Sequence, residues 1–600
     1  MKKFLLILLP ILFFGLIIVG SWLSLKRQQK ILIIDNRQII QSRKKDLPVK
    51  AFITPHHLLA EELMRKIFVK VAKENKGREI ARLIIVSPNH FQRGQGGIII
   101  SDQNWSLGQR ILPAKLAVSE LNKLDFVFTD NKVFSGEHGI QNLLPLAEEY
   151  FPQVPILSML VGEDIPWQNL ESLAEAIASL PGNTLLILSS DFSHYLSAAV
   201  ADWHDQKAIG VIKHFDYPAI YDLETDCRSG LYLLLKFAEL NQQKEFTLLD
   251  HSSSAQIYQQ DVVGQNTSYV TGYFSEKNKK SEKDRREDND NKPGRAVTFL
   301  FLGDLMLDRF NRRLIQEHGT DYFTQPIERL FWSQDLNVVN LEGPITMRAS
   351  VSVAQPVSNP NHFKFTFAPQ TTIGFLQGRR INVVNLGNNH ILNFGRSGLQ
   401  QTERFLEEGK IAYFGDPIEQ EKSFVIQKVG DQQIALVSYN QFAGSTVKDV
   451  IQLIKKLRPQ VDYLIVYPHW GVEYQAKPTS RQRQLAHQFI DAGADLIVGA
   501  HPHVVQSLEI YRDKPIFYSL GNFIFDQYFS PAVRTMLGVG VLLEGKKATF
   551  TLIPLWREKS GQVRLLDQAE KRKFFSDFVG QSFLNKNIRE QVLHKERFEL

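Results

Sequence analysis

Carboxylate, amide and imidazole side chains recur in the second half of this chain, each time just after a short apolar run. Gly303-Asp304 follows Thr298–Leu302, Asn340-Leu341-Glu342-Gly343 follows Leu336–Val339, and Gly387-Asn388-Asn389-His390 follows Ile381–Leu386. His469-Trp470-Gly471 follows Tyr463–Tyr467, and Gly499-Ala500-His501-Pro502-His503 follows Asp495–Val498. Short apolar runs bounded in this way read as buried strands. Oxygen and nitrogen donors at successive strand ends can be aimed at one point by rigid elements, which suits a borderline or hard divalent cation. Five such clusters in register point to a metal or an anionic substrate. Trp470 and Tyr474, beside them, read as core.

The first half repeats the pattern with a softer donor set. Thr54-Pro55-His56-His57 follows Val49–Ile53, Ser87-Pro88-Asn89-His90 follows Leu83–Val86, and Ser189-Ser190-Asp191-Phe192-Ser193-His194 follows Leu185–Leu188. Gly136-Glu137-His138 and the lone Cys227, between Asp226 and Arg228-Ser229-Gly230, complete the group. One histidine at a strand end is commonly a hydrogen-bonded cap. Recurrence at equivalent places argues for a shared site.

Both halves alternate apolar runs with amphipathic stretches, the pattern of α/β layering. Helical spacing marks Leu58–Glu74, Trp167–Leu180 and Ser229–Leu240, then Ser397–Glu408, Val447–Lys456 and Ser480–Gly493. Residues 275–295 are almost wholly charged or polar and cannot bury enough surface to offset ordering, so they read as a disordered linker. It separates domains at 48–274 and 296–557, with 558–600 expected as a helical tail packed outside. A chain of 600 residues is too long for one core. The lysines and arginines behind a net charge of +6 are dispersed, which fits a solvated surface and not a nucleic-acid site. A single cysteine excludes an intrachain disulfide. Phe4–Leu25 is apolar and long enough to span a bilayer, with Lys2, Lys3, Lys26, Arg27 and Lys30 around it and no evident cleavage site. Residues 1–30 therefore read as an uncleaved anchor, with the domains outside the cytoplasm. No Gly-x-Ser-x-Gly surrounds a plausible nucleophile, and Gly94-Gln95-Gly96-Gly97 lacks the Lys-Ser/Thr helix start of a phosphate loop.

Residues 48–274 resemble the MEMO family (AmmeMemoRadiSam system protein B). The resemblance rests on the Pro-His of Pro55-His56, Ser-Pro-x-His, the Glu-His-x-Ile…Leu-Pro of Glu137–Pro145, Ser-Ser-Asp-Phe-x-His, and one cysteine before a helix. It implies a class III extradiol dioxygenase-like α/β fold, with His56, His90 and Cys227 binding iron or copper and His138 and His194 lining the pocket. Two imidazoles and a thiolate suit a soft or redox-active ion, which would keep the thiol deprotonated. The chain departs from the family at Leu143, where a second histidine is usual, and at Arg228-Ser229-Gly230.

Residues 296–557 resemble the CapA family of capsule and poly-γ-glutamate synthesis proteins, a branch of the calcineurin-like metallophosphoesterases. Gly-Asp-x-Met-Leu, Asn-Leu-Glu-Gly-Pro, Asn-Leu-Gly-Asn-Asn-His, Pro-His-Trp-Gly-x-Glu-Tyr, Gly-Ala-His-Pro-His and Tyr518–Phe523 carry it. It implies an αββα sandwich in which Asp304 and His503 hold one divalent metal (manganese, zinc or iron). Asn389, His469 and His501 hold another, Glu342 bridges, and His390, with Asp304, serves catalysis. The phosphoesterases carry a histidine where Met306 stands, and a thioether is a poor ligand for a hard cation. Asp308 either compensates or faces solvent. The function implied is a membrane-anchored, metal-dependent hydrolase or transferase on an anionic envelope polymer or its precursor, with other envelope synthesis proteins as partners. Two alternatives are a non-catalytic, metal-dependent polymer-binding part of an export complex, and a redox metal centre in the first half.

Overall fold

A computed structural model describes residues 46–106, 110–262, 264–276, 296–353, 355–444, 446–545 and 547–600. The anchor expected over 1–30 lies outside these residues, as does the expected linker beyond Glu276. Among the described residues no helix is long and apolar enough to cross a membrane.

In the first half the apolar runs build one nine-stranded sheet. Its strands are β1 (Ala51–Thr54), β2 (Arg82–Pro88), β3 (Ile98–Ser101), β4 (Val127–Thr129), β5 (Ile156–Val161), β6 (Thr184–Ser189), β7 (His194–Leu196), β8 (Glu245–Ser253) and β9 (Asn266–Ser275). They lie in the order β8-β9-β1-β6-β2-β5-β3-β4, with β7 paired to β9. The neighbours β1, β6, β2 and β5 run parallel and are buried throughout. Covering on both faces is why their sequences are continuously apolar. Phe52, Leu83 and Ile85 pack into the layer under α1 (Glu61–Glu74). Ile53, Ile84 and Val86 pack into the opposite layer with α2 (Trp167–Ala178), α3 (Ala198–His214) and α4 (Arg228–Leu240). Thr54 pairs with Ser189 and Val86 with Leu188, so the segments after β1, β2 and β6 emerge side by side. Ligands of parallel sheets sit at this carboxyl edge.

The second half has two sheets face to face. The first runs through β10 (Val297–Leu305), β11 (Leu336–Leu341), β12 (Ile381–Asn385) and β13 (Ala412–Phe414), all parallel. The second comprises β14 (Phe424–Val429), β15 (Gln432–Asn440), β16 (Tyr463–His469), β17 (Leu496–Val498), β18 (Leu508–Tyr511) and β19 (Lys514–Phe517), in the order β14-β15-β16-β17-β19-β18. The first sheet gains β20 (Asn522–Ile524) beside β10, then β21 (Thr535–Glu544), β22 (Lys547–Arg557) and β23 (Val563–Leu565). Val297, Phe299, Phe301 and Val338 meet Leu436, Ile465, Tyr467 and Val498 between the sheets. One step along the same strands, Leu300, Leu302 and Val339 face α5 (Arg309–His318), α6 (Pro369–Gly378) and α7 (Gly395–Glu408). Ala435, Val437 and Val466 face α8 (Val447–Leu457) and α9 (Ser480–Ala492). The result is a helix–sheet–sheet–helix stack set by the two-residue period of its strands.

The C-terminal stretch differs from the helical tail expected. Helices α10 (Gln568–Gln581) and α11 (Lys586–Lys595) form, but β23 and β24 (Arg597–Glu599) extend the sheet on either side of them. Phe598 is buried, its ring 5.0 Å from that of Phe550. A three-residue strand is too short to leave an alternation in sequence.

The halves share a core. Val200, Ala201 and Trp203 of α3 join the same apolar layer as Leu300, Leu302 and Leu542. Trp203 lies so close over Gly540 that an added methyl would come within 2.9 Å of the indole, and its Nε1–H points to Val541 O at 3.4 Å. Lys207 and Asp335 form a buried ion pair at 3.2 Å. Arg329–Glu224, Arg380–Asp222, Lys571–Asp261 and Arg597–Asp202 tie the margins.

His204, fully buried in this seam, accepts from the Gln334 amide at 2.8 Å. Burial pushes its pKa down to about 3 from 6.5. The unfolded chain therefore binds a proton below pH 6.5 that the folded chain refuses, so stability is full above that pH and declines toward pH 3. By about pH 5 this group costs about 2 kcal/mol. In Tm measured from pH 8 to pH 4, His204→Gln is expected to show a flatter acid limb than the unsubstituted chain. An equally steep limb would assign the loss to other groups.

Candidate metal centres at two strand edges

In the second half, strand register lays the polar groups out. Asp304 pairs with Asn340, and Asn340 with Asn385. The Asn340 amide donates to Asp304 Oδ1 at 2.8 Å and lies 3.3 Å from both Glu342 Oε2 and His469 Nδ1. His469 Nε2 meets Asn389 Oδ1 at 2.9 Å. An amide oxygen only accepts, so this ring carries its proton on Nε2. His503 Nδ1 lies 2.9 Å from Asn522 Oδ1 and 3.2 Å from Asp304 Oδ2, and its Nε2 lies 3.6 Å from Glu342 Oε1. Donor atoms of Asp304, Glu342 and His503, all buried, lie within 4.8 Å of one another. Glu473, His501 and His503 form a second such group. His501 and His503 stand at φ of 96° and 59°. Such left-handed strain, of order 1–3 kcal/mol each, gathers where function fixes the backbone.

The electrostatics fit a cation. Burial and the neighbouring Asp304 push the Glu342 carboxyl well above its usual range. Its Oε1 has no hydrogen-bond partner among the described residues, and neither has His501 Nδ1. Burial and adjacent imidazoles hold His469 neutral, and burial pushes His501 down to about 3 and His390 to about 4. Paired buried carboxylates beside neutral imidazoles are a donor set that a divalent ion relieves. His390 packs on Phe365 with centroids 4.3 Å apart, Nδ1 3.2 Å from Asn393 Oδ1 and Nε2 3.9 Å from Glu342 Oε1.

The structure thus gathers Asp304, Glu342, Asn389, His390, His469, His501 and His503 at one edge. Met306 is buried, and its thioether accepts from Asp308 N–H at 3.1 Å. Asp308 neither faces solvent nor joins the donors. It is buried and accepts from Ser350 Oγ, Ser352 Oγ, Thr366 N and Arg312 Nε at 2.8–3.0 Å, pinning a loop about forty residues away. That distance in sequence hid its role. Trp470 is core, donating to Tyr518 O at 2.9 Å, whereas Tyr474 is 45% exposed and stands 6.2 Å from the His503 ring. Asn340, Asn522 and Glu473 stand inside motifs that the sequence made visible, but sequence reasoning gave none of them a role. Glu473 lies one turn beyond His469 in a motif already singled out.

In the first half, Ser189 Oγ donates to Gly139 O at 2.6 Å and so can only accept from His56 Nδ1 at 3.0 Å. The His56 Nε2 lone pair therefore faces Asp191 at 3.5 Å and Asp226 at 3.4 Å. A lone pair against two carboxylates again calls for a cation. His90 Nδ1 meets Glu137 Oε1 at 2.5 Å, and its ring lies 4.0 Å from that of His138 and 4.9 Å from that of His56. Burial opposes charge on His90, but hydrogen bonds to Asp226 and Glu137 outweigh it and raise its pKa to about 9. Burial and the charge of His90 push His138 down to about 4. Donors of His56, His90 and His138 cluster within 4.8 Å, as do those of His56, Asp191 and Asp226. Burial keeps the His194 imidazole low, and the backbone N–H of His194 reaches Glu224 Oε1 at 3.4 Å. Cys227 is in neither group. Its Sγ packs near Leu188 and Val86 around Gly230, and burial and Asp226 raise the thiol well above its usual range.

Comparison with known proteins agrees with this division. Residues 19–273 match the family described as "Memo-like protein", and residues 298–527 match "Bacterial capsule synthesis protein PGA_cap". "Capsule biosynthesis protein CapA" of Bacillus anthracis is 29% identical over 279 residues, 43% of this chain and 67% of that protein. "PGA biosynthesis protein CapA" of Bacillus subtilis is 31% identical over 249 residues, 39% of this chain and 64% of that protein. A MEMO1 family protein of Thermoplasma volcanium is 23% identical over 256 residues, 41% of this chain and 94% of that protein. The chain carries the Memo-like pattern in its N-terminal half and that of the bacterial capsule synthesis proteins in its C-terminal half.

Proposed function

We propose that this is a membrane-anchored protein with its domains outside the cytoplasm, and that its second half is a metal-dependent hydrolase or transferase. Its substrate would be an anionic envelope polymer or precursor, such as poly-γ-glutamate. The buried Asp304–Glu342–His503 group, with an orphaned Glu342 oxygen, carries this reading. Asp304 and His503 would hold one cation, Asn389, His469 and His501 another, and Glu342 would bridge. Divalent cations in such sites supply Lewis acidity and make water a better nucleophile. Asn340 orients Asp304, His469 would exchange its Nε2 proton for the cation, and Asn393 Oδ1 holds the proton of His390 on Nδ1. His390 Nε2 then accepts a proton from the incoming water and returns it to the leaving group.

A second reading, non-catalytic grip on the polymer within an export complex, is favoured by Met306, whose thioether is turned away to Asp308. In the first half, the carboxylates beside His56 favour iron over copper if that site is a redox centre. The test uses the full chain in detergent with poly-γ-glutamate and an aryl phosphate ester, with and without Mn²⁺ or Zn²⁺. Metal-dependent cleavage is expected, reduced about 10²–10⁴-fold in His390→Ala. Tight polymer binding with no cleavage under any metal would move the protein to the second reading, and a reporter after Leu600 that proves cytoplasmic would sink both.

A further inference from the structure

We infer that Glu473 is a metal ligand, supplying a charged donor beside His501 and His503. This rests on the reading of the second-half edge as a divalent-metal site. A Glu473 carboxylate oxygen and one ring nitrogen each from His501 and His503 lie within 4.8 Å of one another. The backbone fixes this arrangement without help from the carboxylate. Tyr474 N–H donates to Pro502 O at 2.8 Å, strapping the turn that carries Glu473 to the residue between the two histidines. Gly471 opens the same turn at φ 93°, its N–H on Gln441 Oε1 at 3.0 Å. A Cβ there would come within 2.6 Å of the Gln482 amide, so the turn admits only glycine.

A second observation also points to a ligand. His501 is 4% exposed, yet its Nδ1 has no hydrogen-bond partner among the described residues. In the proposed arrangement the ion on Asn389, His469 and His501 has only neutral donors apart from the bridging Glu342. One carboxylate with two imidazoles is a familiar donor set for zinc, manganese or iron. Glu473 is exposed where Asp304 and Glu342 are buried, so its position lies toward solvent, on the side where a polymer arrives.

The full chain, stripped with chelator and titrated with Mn²⁺ by calorimetry, gives the test, with metal content measured after desalting. First-half donors are unchanged in every protein compared, so differences report the second half. Relative to the unsubstituted chain, Glu473→Gln is expected to lose one ion or bind it at least tenfold more weakly, and Glu473→Asp to recover part of the loss. Because Glu473 is exposed, the metal-free Tm of Glu473→Gln should match that of the unsubstituted chain, which separates lost ligation from misfolding. Loss of metal in Glu342→Gln but none in Glu473→Gln overturns this inference and leaves the metal-site reading standing. No loss in either variant overturns both.

Discussion

Stripped of metal, Glu342→Gln should melt at or above the temperature of the unsubstituted chain, and added Mn²⁺ should no longer raise it. Glu342 is fully buried, and its carboxyl is driven toward the neutral form by burial and by Asp304. An amide of the same shape removes the conflict between the two acids. Relieving one unsatisfied buried group is worth about 1–3 kcal/mol. In the unsubstituted chain, a cation at roughly 100 times its Kd adds about 2.7 kcal/mol. Orienting partners outside a metal's own ligands already change affinity by about 10–100-fold, so if Glu342 is the ligand proposed above, its loss should cost at least about 100-fold. Differential scanning fluorimetry in chelator and in excess Mn²⁺ reads both effects. A variant that melts several degrees lower without metal would make Glu342 a structural partner instead.

Trp203→Ala should be the most damaging single truncation, costing about 3–5 kcal/mol. The indole is 2% exposed and rests on Gly540, where no larger residue fits. Its helix also holds the first site in place: Asp205 accepts from Ser193 Oγ at 2.8 Å and Ser268 Oγ at 2.9 Å, next to His194. Calorimetry of the unsubstituted chain should show both halves unfolding in one transition, and the variant should split it in two. Two separate transitions in the unsubstituted chain would mean that the shared apolar layer does not couple the halves.

The strands that build both edges were readable because parallel, doubly covered strands are apolar throughout and end abruptly in polar residues. The same logic found His56, His90 and His501, just past strand ends, and His469, the last residue of β16. It found less where contacts are distant. Asp308 answers to Ser350, Ser352 and Thr366, and nothing near Asp308 encodes them. Cys227 stands beside Asp226 in sequence, yet its side chain turns into the apolar layer while that of Asp226 turns to His56. The seam between the halves left no trace in helical periodicity. Residues Trp203, His204, Asp205 and Lys207 of α3 are all buried, so the helix has no clear polar face, and Lys207 finds its counter-charge in the other domain.

The contact between Trp203 and Val541 spans 338 residues of chain. At roughly 5–20 residues per second of synthesis, α3 waits on the order of 20–70 s before the sheet that covers it exists. Through that interval Trp203 lacks its full cover, and until Asp335 is made, 128 residues on, Lys207 has no partner, on a first half that is otherwise complete. A nascent chain in this state is sticky toward its neighbours, whichever compartment it is folding in. Yield in cells should therefore follow how well chaperones shield the early half, more than the stability of the finished molecule.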